Sequence, residues 1–229
     1  MRKNMMLFIA MALLAGLAGY GQETTVAQNI SAATGKIVGG YRILPISQPS
    51  DPVVLTVFRG DYIKFKTDAT IRPLLLSIPA LAIEKEISGD PADSPYFKMK
   101  ESGTYPFTLG TASGEIRVID YQQPNYREIT AKEAAELIGN IQPLILDVRT
   151  AGEYRQGHIR HSKLIPVQEL QKRHLEISAY KNQDVLIYCA TGNRSTVASK
   201  ILIDAGFNRI YNLRHGIAEW AKNNYPVVR

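Results

Sequence analysis

The hydrophobic rhythm of the chain changes near its middle. Between 41 and 120 the apolar residues fall in short runs, at 41–46, 53–58, 62–66, 74–78, 95–99 and 115–119. These runs are rich in Val, Ile, Tyr and Phe and are divided by Pro, Gly and Asp, the pattern of short strands separated by turns. KFK and YFKMK alternate polar and apolar residues, as strands do when one face is buried. Few helical stretches interrupt them, which predicts an all-β sandwich or barrel of about 80 residues.

From 127 onward, strand-like and helix-like runs take turns. TAKEAAELIG opens with the capping pair Thr130 and Glu133 and is expected to end at Gly139. LILDV, DVLIY and RIYNL read as strands. STVASKILIDAG reads as a helix stopping at Gly206, and IAEWAKNN as a final helix. Strand then helix, repeated, predicts a parallel sheet with helices on its faces. YQQPNY, 121–126, is expected to be a linker between the two patterns. Residues 22–40 are small, polar and Gly-rich and are expected to form a flexible tether.

The first residues bear on the compartment. Arg2 and Lys3 precede an uncharged apolar run at 5–19, with small residues Gly19 and Gly21 and then QETT. This is the pattern of a secretory signal peptide, 1–21, cut near Gly21. The run is short for a membrane span, no other segment is long enough, and no cysteine follows it to carry a lipid. The expected mature chain is periplasmic or extracellular, without a membrane span. Losing Arg2 and Lys3 lowers the formal charge from +6 to +4. The remaining excess is spread out, with no block of Lys and Arg. It argues against nucleic-acid binding and is compatible with weak attraction for small anions.

One cysteine, Cys189, stands in the whole chain. It cannot pair within the chain, so it is an inert buried residue, an intermolecular link or a reactive thiol. Its position distinguishes these. CATGNRST follows the strand DVLIY and precedes a helix starting near Ser195. In open α/β sheets ligands bind beyond the carboxyl ends of the strands. The turn 190–195 (Ala190, Thr191, Gly192, Asn193, Arg194 and Ser195) supplies backbone N–H groups without helical partners, which form an anion-binding nest. Gly192 allows an unusual turn conformation. Arg194 adds a permanent, fork-shaped cation. A space-filling cysteine accounts for none of these features; a nucleophilic thiolate accounts for all of them.

At these residues the half from about 126 to 229 resembles a rhodanese domain. DVRTAGEYRQGHI, 147–159, is similar to the family's D-V-R-x-x-x-E-[YF]-x-x-G-H-I stretch, IYCATGNRS to its active loop C-x-x-G-x-R, and NLRHGIAEW to its closing L-x-G-G-x-x-x-W segment. One departure is His215, where the family usually has the first glycine. The resemblance implies sulfurtransferase chemistry. Cys189 takes the outer sulfur of a donor such as thiosulfate as a persulfide, the loop amides cradle it, and Arg194 holds the donor's sulfonate. A thiol or cyanide then accepts the sulfur. Related phosphatases and arsenate reductases carry one more residue between Cys and Arg, so phosphate chemistry is disfavoured. Asp147 and Arg149, with Glu153, are expected to support the loop. Arg214 and His215 are candidates for tuning the substrate. His158 is expected to fix a loop, His161 and His174 to be solvated, and Trp220 to be core.

The first half resembles a cupredoxin-like domain through SIPALAIEKEI, KESGTYPFTLG and EIRVID. Blue-copper sites need a thiolate and imidazoles, and this half has no His and no Cys. Where the copper-binding Cys would follow GTYPF-x, Leu109 stands. The expectation is a two-domain protein: a metal-free cupredoxin-like sandwich, 41–120, and a rhodanese-like domain, 127–229, with no cofactor. Four functional readings remain open. They are a sulfurtransferase, a sulfur carrier that docks a protein partner through the β domain, a catalytically dead interaction domain, and an oxyanion reductase.

Overall fold

The computed structural model describes residues 33–47, 52–68 and 73–229. The expected signal peptide and residues 22–32 of the expected tether lie outside them. No helix among the described residues is long and apolar enough to cross a membrane.

The first half contains β1 (Lys36–Val38), β2 (Tyr41–Ile46), β3 (Val53–Phe58), β4 (Tyr62–Thr67), β5 (Leu74–Ile78), β6 (Ile83–Ile87), β7 (Phe97–Lys98), β8 (Gly103–Leu109) and β9 (Ala112–Ile119). They form two sheets, ordered β1-β2-β4-β7 and β3-β9-β8-β5-β6. The β2–β4 and β3–β9 pairs are parallel and the others antiparallel. Alternation sends Leu44, Ile63 and Phe65 from one sheet and Leu76, Phe107 and Ile116 from the other into a single core. The half is thus a β-sandwich, and each fully buried apolar side chain stabilises it by about 1.5–3 kcal/mol.

The second half contains β10 (Tyr126–Ile129), α1 (Ala131–Ile141), β11 (Leu144–Asp147), α2 (Ala151–Gln156), β12 (Lys163–Leu164), α3 (Val167–Arg173), a 3-10 stretch (His174–Tyr180), β13 (Val185–Tyr188), α4 (Asn193–Asp204), β14 (Ile210–Leu213) and α5 (Gly216–Lys222). Its sheet runs β10-β14-β13-β11-β12, with every pair parallel. All four residues of β13 are buried, as a central parallel strand covered on both faces requires. The Thr130–Glu133 capping box forms. Helix α1 nevertheless runs past Gly139 to Ile141 and ends at Gln142 in the left-handed conformation, because one glycine costs a helix only about 1 kcal/mol.

The described part of the expected tether and the expected linker are both packed against the rest of the chain. Within the expected tether, β1 pairs with β2. Gln171 on α3 accepts from the Gly39 amide at 2.8 Å and donates to the Ile37 carbonyl at 2.9 Å. At the expected linker, Tyr121 is buried and packs edge-on against Phe58 and Tyr126, with centroids 5.0 and 5.1 Å away. Tyr126 already opens β10. Phe58 and Tyr121 therefore belong to the core of the second half. Tertiary contact overrides the small, Gly-rich composition of the first and the polar composition of the second.

The halves are also joined by buried charge. Asp61, in the turn between β3 and β4, accepts from Arg42 Nε and from Lys200 Nζ of α4, both at 2.6 Å, and from the Phe58 amide at 2.9 Å. All three charged residues are almost wholly buried. Burial alone would raise the Asp61 carboxyl, but the Lys200 and Arg42 charges outweigh it and hold the group below its ordinary value. In the same turn Gly60, at φ +95°, lies so close to α4 that a Cβ there would meet Thr196 Cβ at 3.1 Å. The sandwich thus rests on the helix that follows Cys189.

Candidate active site

Cys189 leaves the carboxyl end of β13 and is 1% exposed. The turn that follows wraps back over it. The Gly192 amide donates to Cys189 Sγ at 3.1 Å, and Gly192 takes φ +95° to do so. Ser195 Oγ lies 3.6 Å from the sulfur, but its one proton is closer to the Gly192 carbonyl, at 2.8 Å. That carbonyl also accepts from Thr196 Oγ1 at 3.0 Å and from the Thr196 amide at 3.2 Å. Asn212 of β14 reaches Thr196 Oγ1 and the Tyr126 hydroxyl, each at 3.0 Å. The loop is therefore held at its glycine by α4 and β14 together.

The other side of the loop rests on α5. The Ile217 and Ala218 amides donate to the Cys189 and Ala190 carbonyls at 2.9 and 3.2 Å. This approach needs Gly216, where a Cβ would fall 2.2 Å from the Cys189 oxygen and φ is +61°. His215 takes φ +56°, so the departure from the family's glycine puts a side chain where a left-handed residue is needed, at a cost of about 1–2 kcal/mol. Gly216→Ala is expected to push the loop out of register. Most activity should be lost and the urea midpoint should fall, whereas Gly139→Ala, at an open helix site, should leave activity unchanged and raise the midpoint slightly.

Arg194 has part of its fork engaged. Its Nη1 and Nη2 donate to Glu153 Oε2 and Oε1 at 2.8 and 2.6 Å. A bidentate pair of this kind is strong and directional. Glu153 is itself anchored as the third residue of α2, in a capping box with Thr150. Glu153 takes one N–H from each terminal nitrogen and leaves the other three N–H donors of the guanidinium for the donor's sulfonate expected there. The pair also ties α4 to α2 across the loop.

The family model of the rhodanese-like domain matches residues 130–223. A sulfurtransferase of Allochromatium vinosum is 35% identical over 102 residues, covering 44% of this chain and 94% of the relative. This chain belongs to the rhodanese family. A thiosulfate sulfurtransferase of Coxiella burnetii is 32% identical over 102 residues, covering 44% of this chain and 92% of the relative. A solved rhodanese-related protein from Thermoplasma volcanium is 34% identical, with 45% of this chain and 98% of that chain covered and a TM-score of 0.41.

The remaining predicted residues surround the rhodanese loop at different depths. Thr191 is exposed at its tip, and Ala190 and Asn193 are half-buried. Asp147 and Arg149 form a buried pair, with Nη2 to Oδ2 at 2.6 Å, and Arg149 also donates to the Gly157 carbonyl at 2.7 Å. They brace the far end of α2, which carries Glu153, and also flank the strand that delivers Cys189: Asp147 pairs with Tyr188 in the sheet and Arg149 lies 5.6 Å from the Tyr188 ring centroid. Arg214 and His215 are exposed beside the loop. His158 stacks on Tyr154 at 3.8 Å and its backbone bridges to Val228, consistent with fixing a loop. Trp220 is buried in the core.

Two residues near the sulfur come from the sandwich. The Tyr62 hydroxyl is pushed up to about 12, first by burial and then by the charge of Cys189. Lys98 Nζ lies 3.5 Å from Thr191 Oγ1. Neither carries a motif, and each is more than 90 residues from the loop in sequence. Only the period-two alternation of YFKMK hinted that Lys98 faces outward.

The Glu153 carboxyl is held down at about 2, first by its hydrogen bond to Arg194 and further by Thr150, against burial. Its ordinary value is 4.5. A depressed carboxylate stabilises the fold fully above the ordinary value and loses that contribution as pH falls through the folded one. Acid unfolding should therefore show wild type losing its advantage over Glu153→Gln between pH 4.5 and 2. Parallel curves across that window would contradict the pairing.

Proposed function

We propose that the chain transfers sulfane sulfur through a persulfide on Cys189. The single observation that carries this reading is the Gly192 amide aimed at Cys189 Sγ within a Cys-to-Arg turn at the end of a central parallel strand. The Cys189 thiolate attacks the outer sulfur of a donor such as thiosulfate. A new S–S bond forms, the donor's own S–S bond breaks, and sulfite leaves with the electron pair. A thiolate or cyanide then attacks the outer sulfur of the persulfide and restores the Cys189 thiolate. The Gly192 amide stabilises the anionic sulfur in both steps. The names of the Allochromatium and Coxiella relatives agree with this chemistry.

Export of the chain belongs to the same reading. It is supported by Arg2, Lys3 and the uncharged run at 5–19. A cupredoxin-like origin for the sandwich is supported by its two mixed sheets and by the motifs around Leu109. A carrier that hands sulfur to a protein docked on the sandwich is the second reading. It is favoured by the 1% exposure of Cys189 beneath its loop. Steady-state kinetics with thiosulfate and cyanide separate the mechanisms. Parallel double-reciprocal lines are the outcome expected of two half-reactions sharing one covalent intermediate. Intersecting lines would count against the persulfide.

A further inference from the structure

The sandwich forms one wall of the approach to the loop, and its pleat decides what that wall presents. Tyr62 of β4 and Lys98 of β7 are direct cross-strand partners, as are their neighbours Ile63 and Phe97. Alternation buries Ile63 and Phe97 in the sandwich core and turns Tyr62 and Lys98 outward, toward the loop. Lys98 Nζ sits 5.8 Å from the Tyr62 ring and 3.5 Å from Thr191 Oγ1. The two walls enclose a cleft of about 380 Å³ floored by Thr191, Gly192 and Asn193.

Charge in the cleft is unbalanced. Arg59, Lys98, Lys100 and Arg214 line it against Glu101 and Glu128. Arg59 is already paired with Asp120 and Glu128, at 2.5 and 3.1 Å, and Arg214 stands 4.0 Å from Glu128. No described carboxylate lies within ion-pair distance of Lys98. On the other side of the loop Arg194 is paired with Glu153. The sandwich thus adds to this cleft a cation, Lys98, that faces the loop and has no ion-pair partner among the described residues. Burial pulls the Lys98 amine below its ordinary value, while the charge of Cys189 works the other way.

We propose that the sandwich contributes an anion subsite centred on Lys98, which selects sulfur donors or acceptors bearing a second anionic group, a carboxylate or sulfonate, beside the sulfur that moves. The subsite rests on the persulfide reading of Cys189. One pocket serves both half-reactions, so donor and acceptor are tested separately. In the donor arm, the KM for thiosulfate is measured with cyanide as acceptor. In the acceptor arm, the Cys189 persulfide is discharged by mercaptosuccinate or by uncharged 2-mercaptoethanol at one pH.

In the full chain, Lys98→Met is expected to raise the thiosulfate KM, or to reduce the preference for mercaptosuccinate, by about tenfold. The rate with 2-mercaptoethanol should hold, which shows that the loop is intact. Lys98→Arg should keep most of the wild-type preference, and added salt should erode it in the wild type but not in Lys98→Met. Sulfur uptake by the wild type with both arms unchanged in Lys98→Met would overturn the subsite alone. No sulfur uptake by the wild type from any donor would overturn the persulfide and the subsite together.

Discussion

Asp61→Ala is expected to cost about 3–5 kcal/mol of stability, the usual effect of removing one partner from a buried ion pair. The loss leaves Lys200 and Arg42 with no counter-ion in the buried seam between the halves, and removes the acceptor of the Phe58 amide. Lys200 also packs 4.4 Å from the Phe58 ring centroid, so its ammonium cannot withdraw without opening that contact. Typical domains are stable by about 5–15 kcal/mol, so the variant should unfold at much lower urea. Lys200→Met should be milder, because it keeps Arg42 paired with Asp61 and leaves an apolar chain against Phe58. Since Lys200 lies on α4, Asp61→Ala should also lower sulfur transfer below the level of Lys200→Met. A loss under about 1 kcal/mol in Asp61→Ala would show that this triad does not hold the halves together.

Cys189→Ser is expected to reduce sulfur transfer by about a thousandfold or more, while changing stability by less than about 1 kcal/mol. A hydroxyl fits the space and still accepts from the Gly192 amide. It is almost wholly protonated at neutral pH, and it cannot form the S–S bond that the proposed persulfide requires. The contrast between intact folding and lost turnover separates a nucleophile from a packing residue. A packing residue would show the reverse.

The periodic part of the fold was legible from the chain because it is local. The strands at 41–46, 53–58 and 74–78 emerged from runs of Val, Ile and Leu and stand at those positions. IEKEI carries no apolar run because β6 is an edge strand, paired among the described residues with β5 alone, and its Glu84, Lys85 and Glu86 are exposed. GTYPFTL begins with Gly and carries Pro106, which mask a strand pattern, yet β8 pairs along its whole length with β9. Helix α2 has six residues and no buried side chain, so it has no apolar stripe to read; its capping box alone marks it.

The site divides in the same way. Cys189, Gly192 and Arg194 lie within six residues, and their spacing carries the chemistry. The partner that gives Arg194 a bracing contact is 41 residues away, and only packing joins them. The contribution of the sandwich was the least legible. Tyr62 and Lys98 reach the loop because Asp61 and Gly60 seat that domain on α4. Nothing in the local pattern of either half records that docking.

The most direct test of sulfur chemistry at this site is the intact mass of the full chain after brief exposure to thiosulfate, taken beside Cys189→Ser. One added sulfur atom on the wild type, absent from the variant and removed by cyanide, is the predicted result. An unchanged wild-type mass, or the same addition on Cys189→Ser, would contradict a persulfide at Cys189.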